Sequence, residues 1–139
     1  MQQKIILDSS YIISSAIGDD DNHKIAEHLT THIHTFDEVY ITNYIFAEIS
    51  TVLSQRLGKS NSSIILQGFL ENPHEIIWVD KDTDKKTQRE FLKLKDKNIS
   101  YVDLSTAIIA KQNKINAVAT FDKHFKKLGK EYGFDVIGC

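Results

Sequence analysis

The sequence predicts an α/β fold: a mainly parallel five-stranded sheet covered by helices on both faces, a three-layer αβα sandwich. Three observations predict it. Short apolar runs rich in β-branched residues recur along the chain, and they are continuous rather than alternating, as in strands buried on both faces. Segments of helical periodicity separate these runs. The repeated order of strand, helix or helix pair, strand then leads through right-handed crossovers to parallel strands with helices on either side.

The elements follow in order. Residues 4–7 form a first strand and residues 10–16 a helix. Residues 23–34 form a second helix that places Ile25, Leu29 and Ile33 on one stripe. A second strand at 39–42 leads into a helix at 44–57, whose apolar arc is Ile45, Phe46, Ile49, Val52 and Leu53. Gly58 stands where a helix stop is expected, and a further helix covers 61–70. The single proline, Pro73, falls in a helix-to-strand turn. A third strand at 76–79 puts Trp78 in the core. Residues 83–95 read as a solvated helix with Phe91 and Leu94 inward, and residues 101–113 as a helix that is apolar nearly all round. A strand at 117–120, a short helix at 123–128 ending before Gly129, and a last strand at 136–137 complete the chain.

With 139 residues and 15.9 kDa, the chain is sized for one domain with a real core. Apolar residues at 41% and charged residues at 26% exclude disordered, collagen-like and membrane architectures. No signal peptide or bilayer-length apolar run is present, so a cytoplasmic protein without membrane association is expected. The one cysteine, Cys139, has no disulfide partner and no thiolate companion for a metal. A net charge of −2 conceals an asymmetry: residues 1–80 carry 4 basic against 11 acidic side chains, and residues 81–139 carry 13 against 8. The second half can meet phosphates, although the chain lacks the overall excess of a non-specific nucleic-acid binder.

Four carboxylates stand at informative places. Asp8 and Asp122 each follow a strand, where ligands bind in open parallel sheets, and each can also cap the helix after it. Asp103 lies on the most apolar helix, where an ionised carboxylate is costly unless compensated; residues 100–103 also read as a capping box. Glu48 is mid-helix, roughly 40° from Val52 at the edge of the apolar arc, so no cap explains it, though it can snorkel to water or pair with a lysine. Four acids without a matching Cys or His set describe an oxygen-lined site for a hard cation, Mg²⁺ or Mn²⁺. Carboxylates around divalent ions are what phosphodiester hydrolysis uses, because the ion activates water and offsets charge building on phosphorus.

In sequence these residues form four segments: Ile6-Leu7-Asp8-Ser9-Ser10, Thr42 through Ala47-Glu48, Ser100 through Ala107, and Ala119-Thr120-Phe121-Asp122-Lys123-His124-Phe125. In order and spacing they resemble the four motifs of PIN-domain nucleases, and most closely the small VapC-like ribonuclease toxins of toxin–antitoxin pairs. The resemblance covers nearly the whole chain and implies a single PIN domain over residues 1–139. It implies that Asp8, Asp103 and Asp122 ligate Mg²⁺ or Mn²⁺ and that Glu48 completes the catalytic cluster directly or through water. Ser9 and Thr120 then orient ligands or water. Lys123, His124, Lys126 and Lys127 are candidates for RNA contact. The implied partners are an RNA substrate, single-stranded or looped, a small antitoxin protein and a second copy of the chain. Tyr11, Ile12, Tyr44 and Ile45 could face such a partner or the core.

Other readings remain beside it. A PIN-fold nuclease of RNA processing without a toxin role, and a non-catalytic RNA-binding PIN domain, share the same motifs. A phospho-acceptor receiver domain also gathers aspartates over a parallel sheet, but it wants paired acids after the first strand, where Asp8 is followed by Ser9, and a lysine after the last, where the chain reads Ile137-Gly138-Cys139. His28, His32 and His34 lack the glutamate of a His-Glu-x-x-His zinc site and read as surface residues.

Overall fold

A computed structural model describes residues 2–72 and 75–139. Five strands form one all-parallel sheet in the order β3-β2-β1-β4-β5. They are β1 (Lys4–Leu7), β2 (Glu38–Thr42), β3 (Ile76–Ile77), β4 (Ala117–Ala119) and β5 (Asp135–Ile137), and the helices are α1 (Ser9–Ala16), α2 (His23–Ile33), α3 (Asn43–Leu70), α4 (Lys81–Lys93), α5 (Tyr101–Gln112) and α6 (Phe125–Tyr132). The predicted α/β class and three-layer arrangement hold, and the sheet is wholly rather than mainly parallel.

The chain steps from β1 to β2 to β3 in one direction, then crosses back over the sheet to β4 and β5. Right-handed crossovers therefore put α1, α2 and α3 on one face and α4, α5 and α6 on the other. The packing agrees: α1 lies on α2 and α3, while α5 lies between α4 and α6. The strand order reverses between β1 and β4, and their carboxyl ends form the crevice where this architecture binds ligands.

Ile5, Ile6, Ile41 and Val118 of the central strands are fully buried and meet Ile45, Ile49 and Leu53 of α3 and Leu104, Ile108 and Ile109 of α5. Every residue of α5 from Leu104 to Ala110 is buried, as its apolar circumference predicts. The helix predicted to stop at Gly58 and the next one run on as α3, broken at Gly58, whose φ of 82° lets the chain turn without an intervening loop. Pro73 and its predicted turn lie outside the described residues.

Several expectations are corrected. Trp78, expected in the core, is 67% exposed, because β3 ends at Ile77 and the chain leaves the sheet before it. Of the predicted α2 stripe, Ile33 is buried and Leu29 packs on the core, but Ile25 is 50% exposed and Ala26 faces inward in its place. The last helix starts later and runs past Gly129 to Tyr132, capped by Gly133 in the left-handed region at φ 83°. Gly129 is a packing position: a Cβ there would stand 2.6 Å from the carbonyl oxygen of Phe134. Of the side chains that could face a partner, Tyr11, Ile12 and Ile45 are core, and Tyr44 is half-buried. His28, His32 and His34 are exposed, as expected.

Candidate active site

Asp8 leaves β1 at its carboxyl end and caps α1 with extended backbone. It is 3% exposed, a position that penalises a carboxylate by several kcal/mol unless hydrogen bonds compensate it. Two hydroxyls do so on one oxygen. Ser10 Oγ donates to Asp8 Oδ2 at 2.7 Å, and Thr120 Oγ1 donates to the same atom at 2.8 Å. Neither proton can turn elsewhere without loss, since each hydroxyl also accepts a backbone N–H at 3.0 Å, Phe121 N on Ser10 Oγ and Asp122 N on Thr120 Oγ1. The ends of β1 and β4 are thereby sewn together through side chains.

Glu48 stands on α3, whose start is fixed by buried Thr42, accepting Ile45 N at 3.1 Å. The Ser9 side chain hydrogen-bonds Glu48. Asp103 is half-buried at the start of α5, and the predicted capping box is present: Asp103 Oδ2 accepts Ser100 N at 3.1 Å while Ser100 Oγ accepts Asp103 N at 3.0 Å. Asp122 follows β4, its Oδ1 accepting the backbone N–H of His124 at 2.9 Å. Cys139 Sγ lies 3.7 Å from the Asp122 carbonyl oxygen.

Three of the acids are shifted by their surroundings. Burial raises the pKa of Asp8, against the pull of its hydroxyl partners. Burial also raises Glu48, with repulsion from Asp8 added. Asp103 is pushed up to about 6, mainly by burial and further by repulsion from Asp8 and Asp122. The sheet edge thus brings together all four predicted acids, with Ser9 on Glu48 and Thr120 on Asp8.

The donor set is oxygen-only and carries uncompensated like charge, which is the chemistry that fits a hard divalent cation. Among the described residues no group of three or more acids, histidines or cysteines is tight enough to hold an ion as it stands.

Of the candidate RNA contacts, Lys123, His124, Lys126 and Lys127 are all exposed around the start of α6. Lys127 is diverted to Asp96, at 3.8 Å. Two features were missed from the sequence. Ser10 carries the tighter role beside Asp8 that its neighbour Ser9 does not; a hydroxyl two residues after a strand-end aspartate was the available signal. Tyr44 and Tyr101 both hydrogen-bond the Asp84 carboxylate, which they hold below its usual range, and so join the first turns of α3, α4 and α5. No local pattern announces that junction.

A profile of the PIN domain matches residues 5–131, nearly the whole chain. The chain belongs to the PIN-domain family. PIN domains are nucleases, hydrolases acting on nucleic acid. Among solved structures, this PIN domain is similar to VapC20 of Mycobacterium tuberculosis, described as a sarcin-ricin loop cleaving toxin, with TM-score 0.79 at 19% identity over 90% of this chain and 95% of that one. It is similar also to FitAcB of Neisseria gonorrhoeae, with TM-score 0.64 at 20% identity over 96% of each chain. VapBC2 of Rickettsia felis, solved with a DNA fragment from its promoter, gives TM-score 0.63 at 16% identity over 96% of this chain and 97% of that one. At these identities the likeness establishes the PIN fold. No curated protein sequence matches the chain.

Proposed function

We propose that this PIN domain is a divalent-metal-dependent endoribonuclease and the toxin of a toxin–antitoxin pair, with residues 1–139 acting as one domain. One observation carries the catalytic reading: Asp8, Glu48, Asp103 and Asp122 stand at the sheet edge where the strand order reverses, and burial pushes three of them toward the protonated state, with repulsion from neighbouring acids added at Glu48 and Asp103. Such a site is complete only with a cation. Asp8, Asp103 and Asp122 would hold Mg²⁺ or Mn²⁺, with Glu48 beside them. When bound, the ion supplies Lewis acidity, which activates water and offsets negative charge on phosphorus.

The protein's own groups do the positioning. Ser10 and Thr120 hold one oxygen of Asp8 and so fix the orientation in which its carboxylate would hold the ion. Ser9 steadies Glu48, and the capping box steadies Asp103. Lys123, His124 and Lys126 at the start of α6 stand where they can bind phosphates flanking the cleaved bond. Single-stranded or looped RNA fits a narrow acidic crevice better than a duplex does.

The toxin role is supported by the likeness to VapC20, a sarcin-ricin loop cleaving toxin, and to VapBC2, which binds a DNA fragment from its promoter. A small antitoxin and a second copy of the chain are the proposed partners, and exposed Ile64 and Leu70 on the second half of α3 supply apolar surface for protein contact. A cytoplasmic location agrees with that role, and among the described residues no helix is long and apolar enough to cross a membrane.

The test is cleavage of a pooled tRNA and ribosomal RNA substrate by purified protein with Mg²⁺, with Mn²⁺ and with EDTA, beside Asp103→Asn. Discrete cuts that need the metal and vanish in the variant are expected. Cuts that persist in EDTA, or in the variant, overturn the reading.

A further inference from the structure

A groove of about 970 Å³ lies between the end of α5 and the length of α6, at the amino-terminal edge of β4 and β5. Its walls carry Lys111 and Lys114 on one side and Lys126 and Lys130 on the other, with Asn116 and Asp135 at its floor. All four lysines are exposed, and among the described residues none of them forms an ion pair. Asp135 is the groove's only carboxylate. The negative end of the α5 macrodipole explains a lysine in its last turn, Lys111. Of the lysines on the opposite wall, Lys130 sits in the last turn of α6 and has the same explanation, whereas Lys126 does not.

Those two lysines connect the groove to the acid centre. Lys126 and Lys130 are one helical turn apart on α6, about 6 Å along its axis, and α6 begins directly after Asp122 at the catalytic edge. The whole helix is only about 12 Å long, so a strand leaving the acid centre along α6 enters the groove within a few nucleotides. Four of the basic residues of 81–139 line the groove. Four unpaired ammonium groups around an open, water-filled trough suit a polyanionic backbone, which needs charge density rather than shaped pockets.

We propose that the α5–α6 groove is a second RNA-binding site, which holds backbone phosphates of single-stranded RNA on one side of the cleaved bond. This rests on the nuclease reading and extends it, because substrate length beyond the reacting nucleotides would then contribute to affinity.

The test measures binding of a fluorescently labelled 20-nucleotide single-stranded RNA in EDTA, where no cleavage competes, across a salt series. The protein is compared with the K111Q/K114Q/K130Q variant, three exposed positions remote from the core, with circular dichroism melts to show that both fold. The variant is expected to bind about tenfold or more weakly, with the slope of log Kd against log salt reduced by about 2, at ~0.7 per lost phosphate contact on a single strand. Equal affinity and equal slope overturn the groove while leaving the nuclease reading intact. A wild-type protein that neither binds nor cuts RNA overturns the nuclease reading and the groove with it. Binding of an acidic polyglutamate peptide in preference to RNA, lost in the variant, reassigns the groove to a protein partner and overturns the RNA proposal.

Discussion

The two ends of β4 carry opposite chemistry on one short strand. At its carboxyl end, Thr120 and Asp122 join Asp8, Glu48 and Asp103 in a crevice where carboxylates are partly or wholly buried and each carboxylate is held by at least one hydrogen bond. At its amino end, Asn116 floors a groove of exposed lysines that form no ion pair among the described residues. The difference follows from desolvation. A buried carboxylate is tolerated only with its hydrogen bonds in place, so the acid end depends on geometry. Hydrated lysines cost almost nothing to keep, so the basic end depends on their number. Substitutions at the first end should act by misplacing single atoms, those at the second by subtracting charge.

The largest effect tests the geometric end. Asp8→Asn keeps an oxygen for the Ser10 and Thr120 hydroxyls, so the fold should survive while RNA cleavage falls by about a thousandfold. Full cleavage by a folded Asp8→Asn protein would remove the acid centre from the mechanism. Next, Ser10→Ala should lower Mn²⁺ affinity, read by calorimetric titration, by about 10- to 100-fold, the range for groups that orient a ligand. Ser9→Ala, which touches Glu48 instead, should lower it less. If the two serines matter equally, the sharing of Asp8 Oδ2 is not what organises the site.

Smaller effects come from charge. Asp103 has a folded pKa of about 6, raised above its unfolded value near 3.8, so it binds more protons folded than unfolded between those values. Its favourable contribution is complete below about pH 4 and is lost as pH rises through 6. Buried Asp8 and Glu48, also raised, act in the same direction. Metal-free protein should therefore melt higher at pH 5 than at pH 7.5 by about 2–5 °C, and Asp103→Asn should raise the pH 7.5 melting temperature and flatten the trend. Added Mn²⁺ should stabilise most at the higher pH, where the carboxylates are ionised. A melting temperature that rises with pH in EDTA would contradict this. The smallest effect belongs to the lysines beside the acid centre: Lys123→Gln with Lys126→Gln should weaken RNA binding evenly across sequences and lower the salt slope by about 1.4.

Much of the architecture was legible because burial writes itself locally. Continuous β-branched runs marked the central strands, and the apolar circumference of α5 marked its burial. Where an element sits at an edge the writing fails: Ile76-Ile77-Trp78-Val79 reads as a buried strand, yet the edge strand stops at Ile77 and Trp78 faces solvent. Gly129 reads as a helix stop, but its meaning is the closeness of Phe134, which no local pattern records.

The same division holds for the site. Residue type and spacing along the chain singled out Asp8, Glu48, Asp103 and Asp122 as a set, although Asp8, Asp103 and Asp122 taken singly also read as helix caps. Tertiary structure alone decided that Ser10 and Thr120, 110 residues apart, share the Asp8 carboxylate, that Asp84 joins three helix starts, and that lysines of α5 and α6 line one groove. Hydrogen bonds and electrostatic fields act through space at a few ångströms, and a chain that crosses the sheet between β3 and β4 brings together residues whose separation in sequence says nothing of their distance.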